Sequence, residues 1–146
     1  MNIQIGDIGH IIQLAIAPVF LLSGVCTNLI VLTNRLARII DRTRVLEDRL
    51  DNGPNEHYMN ELDTLFGRSH LINSAIALST MCGLLICLVI AMLFFGDTLS
   101  LTLDKTIAAL FVLAVLALIG SFCCLLQEIF VASKSMRQRR HMRIVR

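Results

Sequence analysis

The chain has 146 residues, of which 55% are hydrophobic and 16% are charged, and its formal net charge is +2. Soluble globular chains contain about 45–50% apolar and about 25% charged residues, so this composition excludes a soluble enzyme, a nucleic-acid-binding protein and a secreted disulfide scaffold. No Asp, Glu, Lys or Arg occurs in residues 8–34, 71–96 or 106–127. Because a helix needs about 20 apolar residues to cross a bilayer core, the sequence predicts one all-α membrane domain with three transmembrane helices.

The distribution of Lys and Arg predicts the orientation of the chain. None precedes the first span, six lie in residues 35–70, one lies between spans two and three, and six lie in residues 128–146. Loops rich in Lys and Arg stay in the cytoplasm. We therefore expect the N-terminus outside, with residues 35–70 and the C-terminal tail in the cytoplasm.

The first predicted helix runs past the end of its membrane span. From Leu22 to Leu50, apolar residues recur at steps of three and four, which is the spacing of one helix face. The pattern crosses the membrane boundary, so we expect one helix over about residues 7–51. The sequence Asn-Gly-Pro-Asn at residues 52–55 then predicts a stop, because Gly can cap a helix and Pro cannot continue it.

A second apolar series with the same spacing, from Tyr58 to Ile76, opens the second helix. We expect the two series to face each other in an antiparallel cytoplasmic helical hairpin that rises roughly 24 Å from the membrane at 1.5 Å per residue. The alternative is two short helices lying in the membrane interface. The third helix is expected to continue past Gln127 into the basic tail.

Small residues and one proline are candidates for helix packing within the spans. In lipid, small side chains let helix backbones approach closely. The second span places such residues at every fourth position: Ala75, Ser79, Gly83, Cys87 and Ala91. In the first span, Pro18 and Gly24 predict a bend, since a proline removes a backbone hydrogen bond. That bend is either static or a hinge.

Polar and charged residues in and beside the spans form the candidate functional site: Asn28, Asn34, Arg35, Arg38, Asp41, Arg42 and Glu128. Such groups either pack helices together through hydrogen bonds or line a path for a solute, because polar groups that face lipid are costly. Glu128 lies at the inner end of its span, where an ion pair with Arg35 or Arg38 is expected. The alternative is a carboxylate that coordinates a cation or carries a proton.

The charges of the hairpin are segregated along its length. Arginines lie near the membrane, and acidic residues lie toward the far end: Glu47, Asp48, Asp51, Glu56, Glu61 and Asp63. We expect the membrane-proximal arginines and the tail residues to contact anionic lipid headgroups; the tail residues are Arg137, Arg139, Arg140 and Arg143. The acidic end is a candidate surface for a basic protein partner.

The sequence predicts no catalytic, metal or cofactor site. Its four histidines lack ligand spacing, and it contains no phosphate-binding glycine loop, nucleophile motif or pair of catalytic carboxylates. All five cysteines lie within the spans, where thiols serve as small apolar packing groups. We therefore expect no enzymatic activity, no cofactor and no nucleic-acid partner.

The first helix also carries a family resemblance. Residues 17–24, Ala-Pro-Val-Phe-Leu-Leu-Ser-Gly, and residues 32–42, Leu-Thr-Asn-Arg-Leu-Ala-Arg-Ile-Ile-Asp-Arg, followed by Arg44, closely resemble the signature of the domain of unknown function 2721 family. The resemblance covers residues 9–133, is most specific from Pro18 to Arg44, and does not include Cys26 or the arginine-rich tail. It implies a three-span protein of the bacterial inner membrane and carries no established activity. The matching positions to test are Asn34, Arg35, Arg38, Asp41 and Arg42.

Two functions remain open from the sequence. The first is a homo-oligomeric channel or transport protein, whose pore would form between subunits because three helices cannot enclose a hydrated path. Arginines at its mouth would favour anions. The second is a membrane-anchored scaffold or accessory subunit whose cytoplasmic hairpin binds a protein partner. The polar residues of the first span favour the channel slightly.

Overall fold

Three long helices make up the described part of the protein. The computed structural model describes the backbone of residues 5–51, 56–99 and 104–144, and the side chains of residues 9–10, 12–51, 56, 58–95 and 104–133. Helix α1 is Ile5–Asp51, α2 is Glu56–Leu99 and α3 is Asp104–Ile144, and these ranges contain no strand. Each helix has a segment long and apolar enough to span a membrane. The expected all-α fold with three spanning helices is confirmed.

All three helices continue beyond their apolar segments. Helix α1 runs without interruption to Asp51, and α2 begins at Glu56, which confirms the long helices expected from the apolar spacing. The alternative of two short interfacial helices is wrong, because each of these helices continues without a break from its apolar segment into residues 35–51 or 56–70. The predicted stop at residues 52–55 lies outside the described residues. Helix α3 continues past Gln127 to Ile144, as expected.

Buried residues recur at intervals of seven along each helix, which is the repeat of coiled coils. In α1 the series is Val25, Leu32, Ile39 and Leu46. Helix α2 has two such series, one of Leu65, Ile72, Ser79 and Ile86 and the other including Ala75, Cys82 and Val89. In α3 the series is Ala114, Ser121 and Glu128. Most of these residues are apolar, as a packed helix face requires. The polar exceptions lie in the same series, so they are buried with the core.

One compact unit comprises residues 1–29 and 78–119. Val25, Cys82, Ile86 and Ala114 form its buried core, with partly buried leucines packed around them. Gly83 lies where α1 and α2 approach each other, since a Cβ atom at this position would lie 3.6 Å from Val25 Cγ1. This distance is an ordinary van der Waals contact, so α1 and α2 are neighbours at this position and a single added methyl group would still fit.

The other compact unit comprises residues 30–77 and 120–146. Its buried core contains Leu32, Ile39, Leu46, Leu65, Ile72 and Ala75. Three of these, Ile39, Leu46 and Leu65, lie outside the charge-free segments. We call residues 35–51 and 56–70 the helical extension. Its 17-residue α1 part is about 25 Å long at 1.5 Å per residue, and it has a hydrophobic core of its own.

The outward faces of the spans are apolar. Large side chains such as Phe20, Leu84 and Leu116 are more than half exposed. In the most apolar window of each helix, 22% or less of the residues are buried. Lipid tails are as apolar as these side chains, so a bilayer is the environment that this surface fits.

Candidate functional site

A buried carboxylate on α3 contacts arginines from the other two helices. Glu128 is fully buried, and its Oε1 accepts hydrogen bonds from Arg68 Nε at 3.0 Å and Nη2 at 2.8 Å. Its Oε2 lies 3.3 Å from Arg35 Nη2, an ion pair without hydrogen-bond geometry. We call these three residues the Glu128 junction. Because a buried charge is costly unless it is paired, the junction holds α1, α2 and α3 together at this point.

The junction lies at the boundary of all three apolar segments. Arg35 directly follows residues 8–34, Arg68 is the last charge before residues 71–96, and Glu128 directly follows residues 106–127. The expected ion pair between Glu128 and Arg35 is confirmed. The alternative partner, Arg38, is exposed on α1, and the second partner is Arg68 instead.

A second ion pair joins α1 and α2 within the helical extension. Glu61 is buried, and its Oε1 lies 2.9 Å from Arg42 Nη2 and accepts a hydrogen bond from Arg42 Nε at 3.0 Å. The expectation that Glu61 belongs to the exposed acidic end is wrong, because its carboxylate lies against α1. The other five acids of that end are exposed: Glu47, Asp48, Asp51, Glu56 and Asp63.

Polar residues within the spans bond to neighbouring helices. Asn28 Nδ2 donates a 2.9 Å hydrogen bond to Ser79 Oγ, and both residues are buried. Ser121 Oγ donates a 2.8 Å hydrogen bond to the carbonyl oxygen of Ala75. The first bond links α1 to α2 and the second links α3 to α2. These contacts are what the packing interpretation of polar residues in the spans predicts.

The structure divides the seven candidate functional residues into two groups. Asn28, Arg35, Arg42 and Glu128 make the contacts between helices described above. Asn34, Arg38 and Asp41 are exposed on α1. The second group is therefore the part of the candidate site that is accessible on the described surface of the chain.

The expected packing residues occupy different environments. Pro18 is buried and lines an open apolar groove of about 360 Å³ between α1, α2 and α3, together with residues such as Val89 and Phe111. Ala75 and Ser79 are buried and Ala91 is half-buried. Gly24 and Cys87 are exposed, and no neighbouring atom lies within 4 Å of where a Cβ of Gly24 would be.

The four tail arginines expected to contact lipid lie in α3, but their side chains are outside the described residues: Arg137, Arg139, Arg140 and Arg143. Among the described side chains, no three His, Cys, Asp or Glu residues come together as a metal site. The chemistry that the described site offers is therefore that of arginine and carboxylate pairs.

A cleft of about 260 Å³ lies between α1 and α2 in the second compact unit. Six residues line it, and four of them are arginines. The arginines are Arg35, Arg38, Arg42 and Arg68, and the other two residues are Ile39 and Leu65. We call it the arginine cleft. The α1 residues have the spacing of a single helix face, so three arginines of this helix line the cleft from one side.

The charge pattern of the sequence did not predict the contacts of Glu61 and Arg68 with neighbouring helices. Both lie in the buried seven-residue series of α2 that also contains Ala75 and Cys82. A charged residue in such a series predicts a paired, partly buried group, as a polar residue does in the core of a coiled coil. The seven-residue spacing is therefore the sequence signal that predicts burial and pairing of Glu61 and Arg68.

No curated protein and no solved structure matches the chain. A family model described as "Protein of unknown function (DUF2721)" matches residues 15–138. This match spans all three helices and includes the junction and the arginine cleft, and the chain therefore belongs to the DUF2721 family.

Proposed function

We propose that the protein is a non-enzymatic, membrane-anchored scaffold or accessory subunit whose helical extension binds a protein partner. Its three spans would hold it in the bacterial inner membrane, and its Lys and Arg distribution favours a cytoplasmic extension. The observation that carries this proposal is the hydrophobic core of the extension, formed by Ile39, Leu46 and Leu65.

The length of the extension supports a role beyond connecting two spans. Helix–helix connections in bundles usually take about 2–8 residues, whereas residues 35–70 separate the first two charge-free segments. Within this stretch, the described residues form two packed helices with an ion pair between Arg42 and Glu61. A rigid helical projection of this kind suits a binding surface.

The polar contacts within the chain also favour a scaffold over a pore. Asn28 bonds to Ser79, and Arg35 pairs with Glu128. Both Asn28 and Arg35 are candidates for pore lining, yet their polar atoms contact other helices of the same chain. These contacts stabilise a three-helix anchor, which is what a scaffold requires of its membrane part.

The far end of the extension favours a basic partner. Its exposed acids are Glu47, Asp48, Asp51, Glu56 and Asp63. Complementary charge on a partner speeds its association and selects against partners of the same sign. We therefore expect the binding partner to present a basic surface to this end.

The test is co-purification of the tagged, full-length protein from bacterial membranes with quantitative mass spectrometry. The variant neutralises the exposed acids, with Glu47→Gln, Asp48→Asn, Asp51→Asn, Glu56→Gln and Asp63→Asn. We expect the recovery of a specific partner to fall at least about tenfold, which corresponds to a loss of about 1.4 kcal/mol of binding free energy.

In the matched control, each Asp at these five positions is replaced by Glu and each Glu by Asp. This keeps the charge and changes only the side-chain length. This control is expected to retain the partner, and the purified partner is then expected to rebind the purified protein directly. Equal recovery by the neutral and the charge-preserving variants would argue against the acidic end as the binding surface.

A homo-oligomeric channel is the second candidate, and the exposed polar side of α1 favours it. Ser23, Thr27, Asn34, Arg38 and Asp41 are all exposed and follow one another at helical spacing. A second copy of the chain would have to cover this side to form a pore. Charge reversal with Arg38→Glu is then expected to change the ion selectivity in bilayer recordings, and unchanged selectivity would exclude Arg38 from a pore.

A further inference from the structure

We propose that the arginine cleft binds a phosphate group. The cleft lies between α1 and α2 and is lined by four arginines and two aliphatic residues. This proposal goes beyond the scaffold role, because the binding of phosphate does not depend on which protein the extension contacts. Three observations carry it: the charge of the cleft, the orientation of its arginines, and its position beside the apolar segments.

The charge of the cleft is positive after its ion pairs are counted. Glu128 pairs with Arg35 and Arg68, and Glu61 pairs with Arg42. Four guanidinium groups against two carboxylates leave a charge of +2 (4 − 2). Within the described part of the chain, Arg38 has no ion pair with a carboxylate. A ligand that enters the cleft therefore meets positive charge that the described acids do not balance.

The buried carboxylates hold two of the arginines by one edge. Glu128 contacts Nε and Nη2 of Arg68, and Glu61 contacts the same two atoms of Arg42. A guanidinium group carries five N–H donors in a planar fork that matches phosphate oxygens. Because each carboxylate engages one edge, other donors remain for a second acceptor. Arginines held in this way lose less conformational freedom when a ligand binds.

The size of the cleft limits the ligand. Its volume of about 260 Å³ lies just below the roughly 300 Å³ at which pockets for drug-sized ligands begin. The aliphatic lining is confined to Ile39 and Leu65, which offers little surface to a large apolar or aromatic group. A phosphate with a small substituent fits this combination of volume, charge and lining.

The position of the cleft allows two sources of phosphate. Arg35 and Arg68 border the apolar segments, at the level where lipid phosphates lie in a bilayer. Arg42 lies seven residues further along α1, about 10 Å away, whereas the headgroup layer on each side is roughly 5–7 Å thick. The ligand is therefore either the phosphate of a lipid headgroup or a small phosphate compound from the adjacent water.

The test compares Arg38→Gln with Arg44→Gln in the full chain. Arg38 lines the cleft, and its replacement breaks none of the ion pairs described above. Arg44 is an exposed arginine on the same helix that does not line the cleft. The two variants remove the same charge and differ in location, and equal melting temperatures would show that both are folded. Arg38→Lys is a third variant, which keeps the charge and removes the planar fork.

Two arms of the experiment separate the sources. In the first, native mass spectrometry in mild detergent follows the binding of phosphatidylglycerol. In the second, calorimetry follows the binding of inorganic phosphate to protein in phosphatidylcholine nanodiscs. In the arm that supplies the ligand, we expect Arg38→Gln to weaken binding at least about tenfold, as the loss of a charged hydrogen bond does. Arg38→Lys is expected to fall between Arg38→Gln and the wild type.

If Arg38→Gln weakens the binding of phosphatidylglycerol and Arg44→Gln does not, the cleft binds a lipid phosphate. If the same difference is found for inorganic phosphate, the cleft binds a soluble phosphate. Binding in neither arm by the wild-type protein would overturn the proposal. Equal weakening by Arg38→Gln and Arg44→Gln would also overturn it, because the effect would then come from general surface charge.

Discussion

At the scale of single residues, the Glu128 junction shows an asymmetry between its members. Glu128 has a fully buried side chain, whereas the side chains of Arg35 and Arg68 are 32% and 23% exposed. Water can therefore reach the arginines if their partner is lost, but it cannot reach the carboxylate. Removing one arginine is more costly than removing the acid, since it leaves the buried carboxylate with a single partner, and an incompletely paired buried charge is destabilising.

We predict that Arg68→Gln lowers the free energy of unfolding by about 3 kcal/mol, and that Glu128→Gln lowers it by about 1–2 kcal/mol. The double variant is expected to cost less than the sum of the two, because the residues contact each other. Reversible denaturation in detergent micelles measures all three values. A larger loss for Glu128→Gln than for Arg68→Gln would contradict this account of the junction.

The hydrogen bond between Asn28 and Ser79 is expected to contribute less to the free energy of unfolding than the ion pairs of the Glu128 junction. We predict that Asn28→Ala lowers the free energy of unfolding by about 0.6–2 kcal/mol, the range for a hydrogen bond between helices in a membrane. Asn28→Asp is expected to cost about 2.5–3.5 kcal/mol, because it places a charge within a span. The same denaturation assay measures both variants, and equal effects would mean that position 28 is in contact with water.

At the scale of helices and their packing, the helical extension depends on its own core. We predict that Leu46→Ala lowers the free energy of unfolding by about 2–5 kcal/mol, because Leu46 is fully buried and the change leaves a cavity. Val45→Ala is the matched control, since Val45 is exposed. Amide hydrogen exchange is expected to rise in the helical extension in the Leu46 variant alone. An equal rise in both variants would contradict a packed extension.

Two glycines in the spans provide a second matched pair. A Cβ at Gly83 would lie 3.6 Å from Val25 Cγ1, whereas a Cβ at Gly24 would have no atom within 4 Å. We predict that Gly83→Leu costs about 1–3 kcal/mol through overpacking and that Gly24→Leu costs little in the isolated chain. The denaturation assay compares them. A large loss for Gly24→Leu would indicate that another molecule packs on that face.

The sequence predicts the helices better than it predicts the contacts between them. The steps of three and four from Leu22 to Leu50 correctly identify the buried side of α1, because helix periodicity is a local property. The contact of Arg68 with Glu128 joins residues 60 positions apart. It depends on how α3 is rotated against α2, and spacing along one helix does not encode that rotation.

Glu61 illustrates the limit of reading charge alone. It lies among exposed acids in the sequence, and a charged residue is usually exposed. In the structure it is buried against Arg42, because it also lies in the seven-residue series of α2. Periodicity and charge make opposite predictions at this residue, and the availability of a partner on the facing helix decides between them.

At the scale of the whole molecule, each of the three helices has an apolar segment long enough to span a membrane, and the charged residues lie outside the three charge-free segments of the sequence. The polar residues that contact other helices do so within one chain. A protein of this kind needs no other copy to satisfy these groups. The proposed scaffold role therefore requires few subunits, whereas a channel requires enough copies to enclose a pore.

The number of subunits tests the scaffold proposal most directly. Native mass spectrometry of the full chain in mild detergent, supported by light scattering, gives this number. The scaffold account predicts one or two copies, because the polar groups described above are satisfied within a single chain. One or two copies supply only three or six helices, which are too few to enclose a hydrated path between subunits. A closed ring of four or more copies would contradict it and would favour the channel.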